Sequence, residues 1–169
     1  KIANLYLSYI NRDAVNQLGA DPLKNDIAQI NNIQSKDDLW EYFSLSVKKG
    51  LSSPIYFAVY DDLKDPLNYT IYFGQSGLGL PDRDYYLLDQ PHYIKGRDKY
   101  PLHLKNLFNL AGIKDADLKA SNAFDVEKEL AEIQISRTER RDPEKTYNPM
   151  NTKELSNLSD GKLSIWLES

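Results

Sequence analysis

The residues able to do chemistry are few, and their spacing does not suit it. The chain has 169 residues, two histidines and no cysteine. A zincin holds its metal with two histidines four apart on one helix face, with a glutamate beside the first. His92 and His103 are eleven apart. On one continuous helix that is ~16 Å at the helical rise, too far for one ion. Without cysteine there is no thiolate metal site, no disulfide framework and no cysteine nucleophile. Ser76, in Gly74-Gln75-Ser76-Gly77, is one residue short of a nucleophile elbow and has no helix directly after it. Gly77-Leu78-Gly79 lacks the third glycine and the helix N-terminus of a dinucleotide fingerprint. The chain therefore offers no catalytic residue and no metal-ligand set of its own.

Paired carboxylates occur at Asp61/Asp62, Asp82/Asp84 and Glu127/Glu129. Asp82-Arg83-Asp84 lacks the alternating ligand ladder of a calcium loop. It reads as first-turn acids at the positive end of a helix, with Arg83 pairing locally. Arg137, Arg140 and Arg141 form a small basic cluster, with Asp142 and Glu144 as the expected intramolecular partners. The net charge is −4 and no Lys/Arg stripe is present, which argues against binding a nucleic-acid backbone. At 41% hydrophobic and 27% charged, the composition is that of a soluble globular domain. No apolar run approaches the ~20 residues that span a membrane. The sequons Asn68-Tyr69-Thr70 and Asn157-Leu158-Ser159 read as chance.

These residues must be positioned by helices and one hairpin. Ile2, Leu5, Tyr6, Tyr9 and Ile10 follow the spacing of one buried helix face over residues 2 to about 19, with Gly19 as the stop. Pro22 opens a short helix carrying Leu23, Ile27, Ile30 and Ile33. Ser35 and Asp38 cap a helix that carries Leu39, Trp40, Phe43 and Val47 and ends near Gly50. Ile55–Tyr60 and Asn68–Phe73 are aromatic and β-branched and pair as an antiparallel hairpin, at about 55–60 and 69–74. Gly74–Pro81 is a permissive loop, and residues 82–87 form a turn of helix. Residues 91–111 are helical, with a stripe of Tyr93, Ile94, Tyr100, Leu104, Leu107, Phe108 and Ala111; Pro101 is expected to kink or restart that helix. Residues 115 to about 137 form a further helix with Leu118, Ala123, Val126, Leu130 and Ile133 inward. Residues 140–150 read as a loop, and Asn151 with Glu154 starts a last helix. The fold class is mainly α, a helical lobe with one small antiparallel hairpin, in a single domain over 1–169.

Two blocks carry a resemblance. Gln75, then Gly77-Leu78-Gly79-Leu80-Pro81-Asp82-Arg83-Asp84-Tyr85-Tyr86-Leu87, is similar to the "Q-x-G-L-G-L-P-x-R-D-Y-Y" segment of the neprilysin family of zinc metalloendopeptidases. Arg141-Asp142-Pro143 (with Arg140 before it), Tyr147-Asn148-Pro149-Met150 and Glu154-Leu155 resemble that family's "R-D-P … Y-N-x-M … E-L" segment. Tyr6, Leu18-Gly19 and Pro22-Leu23 fit its start, so the likeness covers nearly the whole chain. Asn122-Ala123-Phe124 resembles the family's substrate-binding "N-A-[FY]-Y" only by accident, because Asp125 follows and the stretch lies inside a helix.

The resemblance implies an N-terminal, non-catalytic region. In the family two helical lobes enclose a central cavity, and the C-terminal lobe carries His-Glu-x-x-His and the zinc. The implied role here is to cap the cavity and limit substrates to short peptides. The implied partners are the catalytic lobe of the same polypeptide and, for the parent, a peptide substrate. No cofactor belongs to this region, and zinc belongs to the parent. The region alone is expected to be inactive, a fragment whose ends at Lys1 and at 165–169 fall in mid-pattern. The signature reads as a structural corner: Gly77 and Gly79 for backbone freedom, Pro81 to begin the next helical turn, Arg83 to bridge outward, Tyr85 and Tyr86 as buried rings. The absence of cysteine points to a bacterial member, exported to the periplasm, with the cytoplasm as the alternative. A stand-alone helical binding module is the competing class, and an enzyme built on Asp82/Asp84 or Ser76 is a third. An open reading frame with His-Glu-x-x-His beyond Ser169 separates the first two.

Overall fold

The computed structural model describes residues 1–164; the expected pattern at 165–169 lies outside the described residues. It is mainly α with one two-stranded antiparallel sheet. The first expected helix is two, α1 (Ile2–Ile10) and α2 (Arg12–Leu18). Asn11 breaks it at φ −75°, ψ 79°, and its side chain accepts the Ala14 N–H to cap α2. Gly19 ends α2 at φ 52°. A 3-10 turn at Asp21–Leu23 holds Pro22 and leads into α3 (Lys24–Asn31), so Ile33 falls beyond the helix end.

Ser35 starts α4 (Lys36–Lys48) with a full capping box. Its Oγ accepts the Asp38 N–H at 3.1 Å, and Asp38 Oδ2 accepts the N–H groups of Gln34 and Ser35 at 2.8 and 3.0 Å. Those donors, Gln34 first, hold the Asp38 carboxyl below its ordinary range. Lys49 ties α4 back to α3 through Asp26 at 2.6 Å and Gln29 at 2.8 Å.

The hairpin is β1 (Ile55–Asp61) with β2 (Tyr69–Gln75), each one residue longer than expected, in register from Ile55↔Gln75 to Asp61↔Tyr69. Asp62 Oδ1 closes the turn by accepting the N–H groups of Lys64 and Asp65 at 2.8 and 3.1 Å. α5 (Asp84–Leu87), α6 (Pro91–Leu110) and α7 (Ala116–Ile133) follow and pack on one another. α6 runs through Pro101 as one helix, where the sequence predicts a kink or restart. α7 ends at Ile133, four residues short of Arg137.

The core lies among α5, α6 and α7, at Tyr86, Ala116, Ala120 and Ala131. It corrects the expected face of α7. Leu118, Val126 and Ile133 are exposed, Ile133 by 80%. The alanines go inward because a methyl group lets two helix backbones approach closely, which Leu or Ile at those positions would prevent. The same correction applies to α1. Ile2, Leu5, Tyr6, Tyr9 and Ile10 are all exposed, Ile2 by 86%. Both apolar faces are amphipathic stripes with nothing from the described residues covering them.

The stretch expected as a loop after α7 contains a 3-10 turn (Glu139–Arg141) and α8 (Pro143–Thr146). Asp142 Oδ1 caps α8 by accepting the Glu144 N–H at 3.0 Å, and Pro143 sits in the first turn, where its missing N–H costs nothing. α9 (Thr152–Leu158) opens on the expected Asn151–Glu154 box. No helix among the described residues is long and apolar enough to cross a membrane. Ser35→Ala removes one half of the α4 box, and the expected loss is about 1 kcal/mol of unfolding free energy, read from a urea denaturation midpoint with unchanged slope.

Candidate functional site

The signature residues form a corner that fastens the hairpin to the helical core. β2 ends at Gln75, whose amide pairs with Ile135 in both directions, donating from Nε2 to the carbonyl and accepting the N–H at Oε1, each at 3.0 Å. Gln134 Nε2 donates to the Ser76 carbonyl at 2.8 Å. The Ser76 N–H donates to the Pro54 carbonyl at 2.9 Å. Gly77 then turns at φ 87°, where a Cβ would also lie 2.9 Å from Pro54 Cα, so only glycine fits. Arg83 does not pair with its neighbouring aspartates. Its Nε donates to the Ala131 carbonyl at 3.1 Å, satisfying one of the last backbone acceptors of α7.

The centre of the corner is Glu127. Its carboxylate accepts the Tyr86 hydroxyl, the Tyr100 hydroxyl at 2.9 Å and the Gly79 N–H at 3.1 Å. Tyr86 Oη in turn accepts the Leu80 N–H at 2.9 Å. Burial, with the Glu127 bond added to it, pushes the Tyr86 and Tyr100 phenols far above their ordinary range. Both therefore stay neutral donors. Gly79 needs no left-handed backbone, contrary to expectation. It is glycine because a Cβ would stand 1.7 Å from the Tyr100 hydroxyl. Phe124 stacks on Tyr86 with centroids 5.7 Å apart. Tyr85 meets the edges of Tyr93 at 5.0 Å and His92 at 6.3 Å. Pro81 does not begin a helix: α5 starts at Asp84, whose N–H is held by Asp82 Oδ1 at 2.9 Å.

Two of these anchors escape sequence reasoning. Glu127 reads only as half of a carboxylate pair with Glu129. Arg97 has no motif at all, yet it holds the Tyr86 and Leu88 carbonyls at 3.0 and 3.3 Å and Asp89 at 2.7 Å. A glutamate one helical turn from Phe124, on the alanine face of α7, is the only available signal for the first.

The second block lies at the other end of the hairpin. Tyr147 Oη donates to Asp62 Oδ1 at 2.9 Å, and Lys64 stands 4.7 Å over the Tyr147 ring. Asp62 is held below the usual carboxylate range, first by the Lys64 N–H and then by Tyr147. Asn148 Nδ2 bonds the Lys145 carbonyl at 2.9 Å. Met150 lines a cleft of about 310 Å³ between β2 and this segment. Arg141 lies in the 3-10 turn, and Asp142 and Pro143 start α8. The two signature blocks thus hold opposite ends of one hairpin.

Among the described residues the two histidines do not converge on a site. His92 and His103 are on the single helix α6, one against Tyr85 and Tyr93, the other beside Tyr100. Among the described residues no three His, Asp or Glu side chains are placed to hold a metal. The donor set does not fit a zinc ion. The Asn122-Ala123-Phe124 stretch is inside α7 and not extended.

The family model described as "Peptidase family M13", in its N-terminal form, matches residues 1–168. The chain belongs to peptidase family M13. Mouse endothelin-converting enzyme 1 is 32% identical over 164 residues, covering 91% of this chain and 21% of that protein. Mouse neprilysin is 26% identical over 185 residues, covering 93% of this chain and 24% of that protein. The open-state structure of the Mycobacterium tuberculosis zinc metalloprotease Zmp1 superposes with a TM-score of 0.87 at 27% identity, over 99% of this chain and 26% of Zmp1. The chain spans about a quarter or less of the length of these relatives. It is a neprilysin-family N-terminal region.

Tyr86→Phe leaves Glu127 and the Leu80 N–H each without one partner; the expected loss is about 1–3 kcal/mol by denaturant titration, with Phe at the stacking position preserving the ring packing. Acid acts elsewhere. Ser136, by hydroxyl and backbone N–H, and then Lys145 hold the Glu139 carboxyl at about 2. A folded value below the unfolded one gives stability that is complete above about pH 4.5 and is lost as the pH falls toward 2. The carboxyl ¹³C resonance of Glu139 should titrate with a midpoint near 2, and Glu139→Gln should flatten the acid limb of the stability profile.

Proposed function

We propose that this region is the non-catalytic N-terminal lobe of a zinc metalloendopeptidase, and that it encloses the active-site cavity and so restricts substrates to short peptides. The observation that carries the reading is the superposition of nearly the whole chain on a quarter of the Zmp1 chain. The catalytic lobe of the same polypeptide is its partner, and a peptide is the parent's substrate. Zinc belongs to that other lobe and would there supply an activated water. The residues of this region bind no zinc; they hold a wall in place. The exposed apolar faces of α1 and α7 support the reading, since faces of this kind mark surfaces covered by another body. The lack of cysteine supports a bacterial protein, read as exported to the periplasm with the cytoplasm as the alternative.

The role of a wall is mechanical. The Glu127 corner and the Gln75–Ile135 pairing make the hairpin and α5–α7 one unit. A rigid unit excludes a bulky polypeptide where a loose one would admit it. The test uses the full-length polypeptide. It is expected to hydrolyse short peptides in a chelator-sensitive way and to leave unfolded casein intact, while Tyr86→Phe raises the casein-to-peptide rate ratio. Equal rates on casein and on short peptides in the wild type would remove the enclosing role.

A further inference from the structure

The basic residues after α7 do not pair as their sequence suggests. Asp142 caps α8, and Glu139 takes Lys145 at 3.4 Å. Among the described residues, the side chains of Arg137 and Arg140 form neither an ion pair nor a hydrogen bond, and Arg140 is held only by its backbone N–H on the Ser136 carbonyl. Both line a cleft of about 180 Å³ with Arg83, Asp82, Gln75 and Ser76. Arg83 comes from the signature and the other two from beyond α7, so the cleft exists only because Gln75 and Gln134 lock those two segments together.

The charges in it do not balance. Three guanidinium groups face one carboxylate, and that carboxylate already accepts the Asp84 N–H. Arg83 has five N–H donors. Its Nε is fixed on the Ala131 carbonyl, which orients the guanidinium, and the remaining four have no hydrogen-bond partner among the described residues. The amides of Gln75 and Gln134 are engaged with backbone. The open donors of the cleft are therefore arginine N–H groups, in a chain whose overall charge is −4.

We propose that this cleft is an oxyanion site, in which Arg83, Arg137 and Arg140 hold one carboxylate or phosphate group. Arginine suits this task, because its planar fork takes two oxygens at once. The volume admits a small anion with a few waters and is below the ~300 Å³ of ordinary small-molecule pockets. The group comes either from a free anion or from an Asp or Glu side chain elsewhere in the same polypeptide. The site does not rest on the enclosing role, whose test reads a cleavage ratio.

The test is the melting temperature of the full-length polypeptide, wild type and the double variant Arg137→Gln with Arg140→Gln, titrated with inorganic phosphate and with succinate against sodium chloride of equal ionic strength. Both side chains are exposed, and their replacement breaks no side-chain hydrogen bond or ion pair among the described residues. For a free anion, phosphate or succinate raises the wild-type melting temperature by several degrees beyond chloride, and the variant does not respond. For an internal carboxylate, the wild type ignores added anion and the variant melts several degrees lower. Arg140→Gln alone gives the same sign with a smaller shift, should the double variant fold poorly. Identical melting temperatures and identical anion responses in wild type and variants would overturn the site.

Discussion

Glu127 is a carboxylate placed among rings, and the corner is built around satisfying it. A charged acid half-withdrawn from water is costly unless donors replace the water it loses. Tyr86, Tyr100 and the Gly79 N–H supply three. Each donor comes from a different element: α5, α6 and the loop after β2. One side chain of α7 therefore fixes three others against it. The constraint explains residue types that otherwise look arbitrary. Gly79 must lack a Cβ because Tyr100 occupies that space. Tyr86 must be tyrosine, because phenylalanine would fill the stack on Phe124 but bond neither Glu127 nor Leu80.

The hairpin depends on the same corner by a second route. A two-stranded sheet is marginal alone. Its base is secured by the Gln75 amide pairing with Ile135, and its turn by Tyr147 on Asp62. The chain segment between these clamps, 135–147, connects the two ends of the hairpin. Short capped turns, held by Glu139 and Asp142, keep that segment from fraying. The two signature blocks are thus two fastenings of one hairpin, which accounts for their separation in sequence and in space.

What the sequence displays is local. The capping boxes at Ser35 and Asn151, the hairpin, the glycine stop at Gly19 and the short helix within the signature are set within a few residues, and all are present. The faces of α1 and α7 are not local, and there the pattern misleads. Large apolar residues mark the side to be covered, but on α7 the described partner is α6 and the buried residues are alanines. Leu118, Val126 and Ile133 point to a different surface. The hydrophobic stripe marks an open surface of the described residues and not their core. Glu127 and Arg97 are illegible for the opposite reason: their partners are Tyr86, Tyr100 and backbone carbonyls whose approach only the tertiary fold determines.

The basic cluster shows how one fastening creates another property. Arg137 and Arg140 would be ordinary solvated charges on a free segment. The Gln75–Ile135 pairing carries them to Arg83, whose own position is set by the Ala131 carbonyl at the end of α7. Like charges brought together repel, and among the described residues lining the cleft Asp82 is the only carboxylate. The hydrogen bonds that stitch β2 to α7 must therefore outweigh that repulsion, or an anion must relieve it. The first alternative makes the corner weaker at low ionic strength. The second makes it stronger whenever a carboxylate or phosphate is present, and couples the rigidity of the corner to what occupies the cleft.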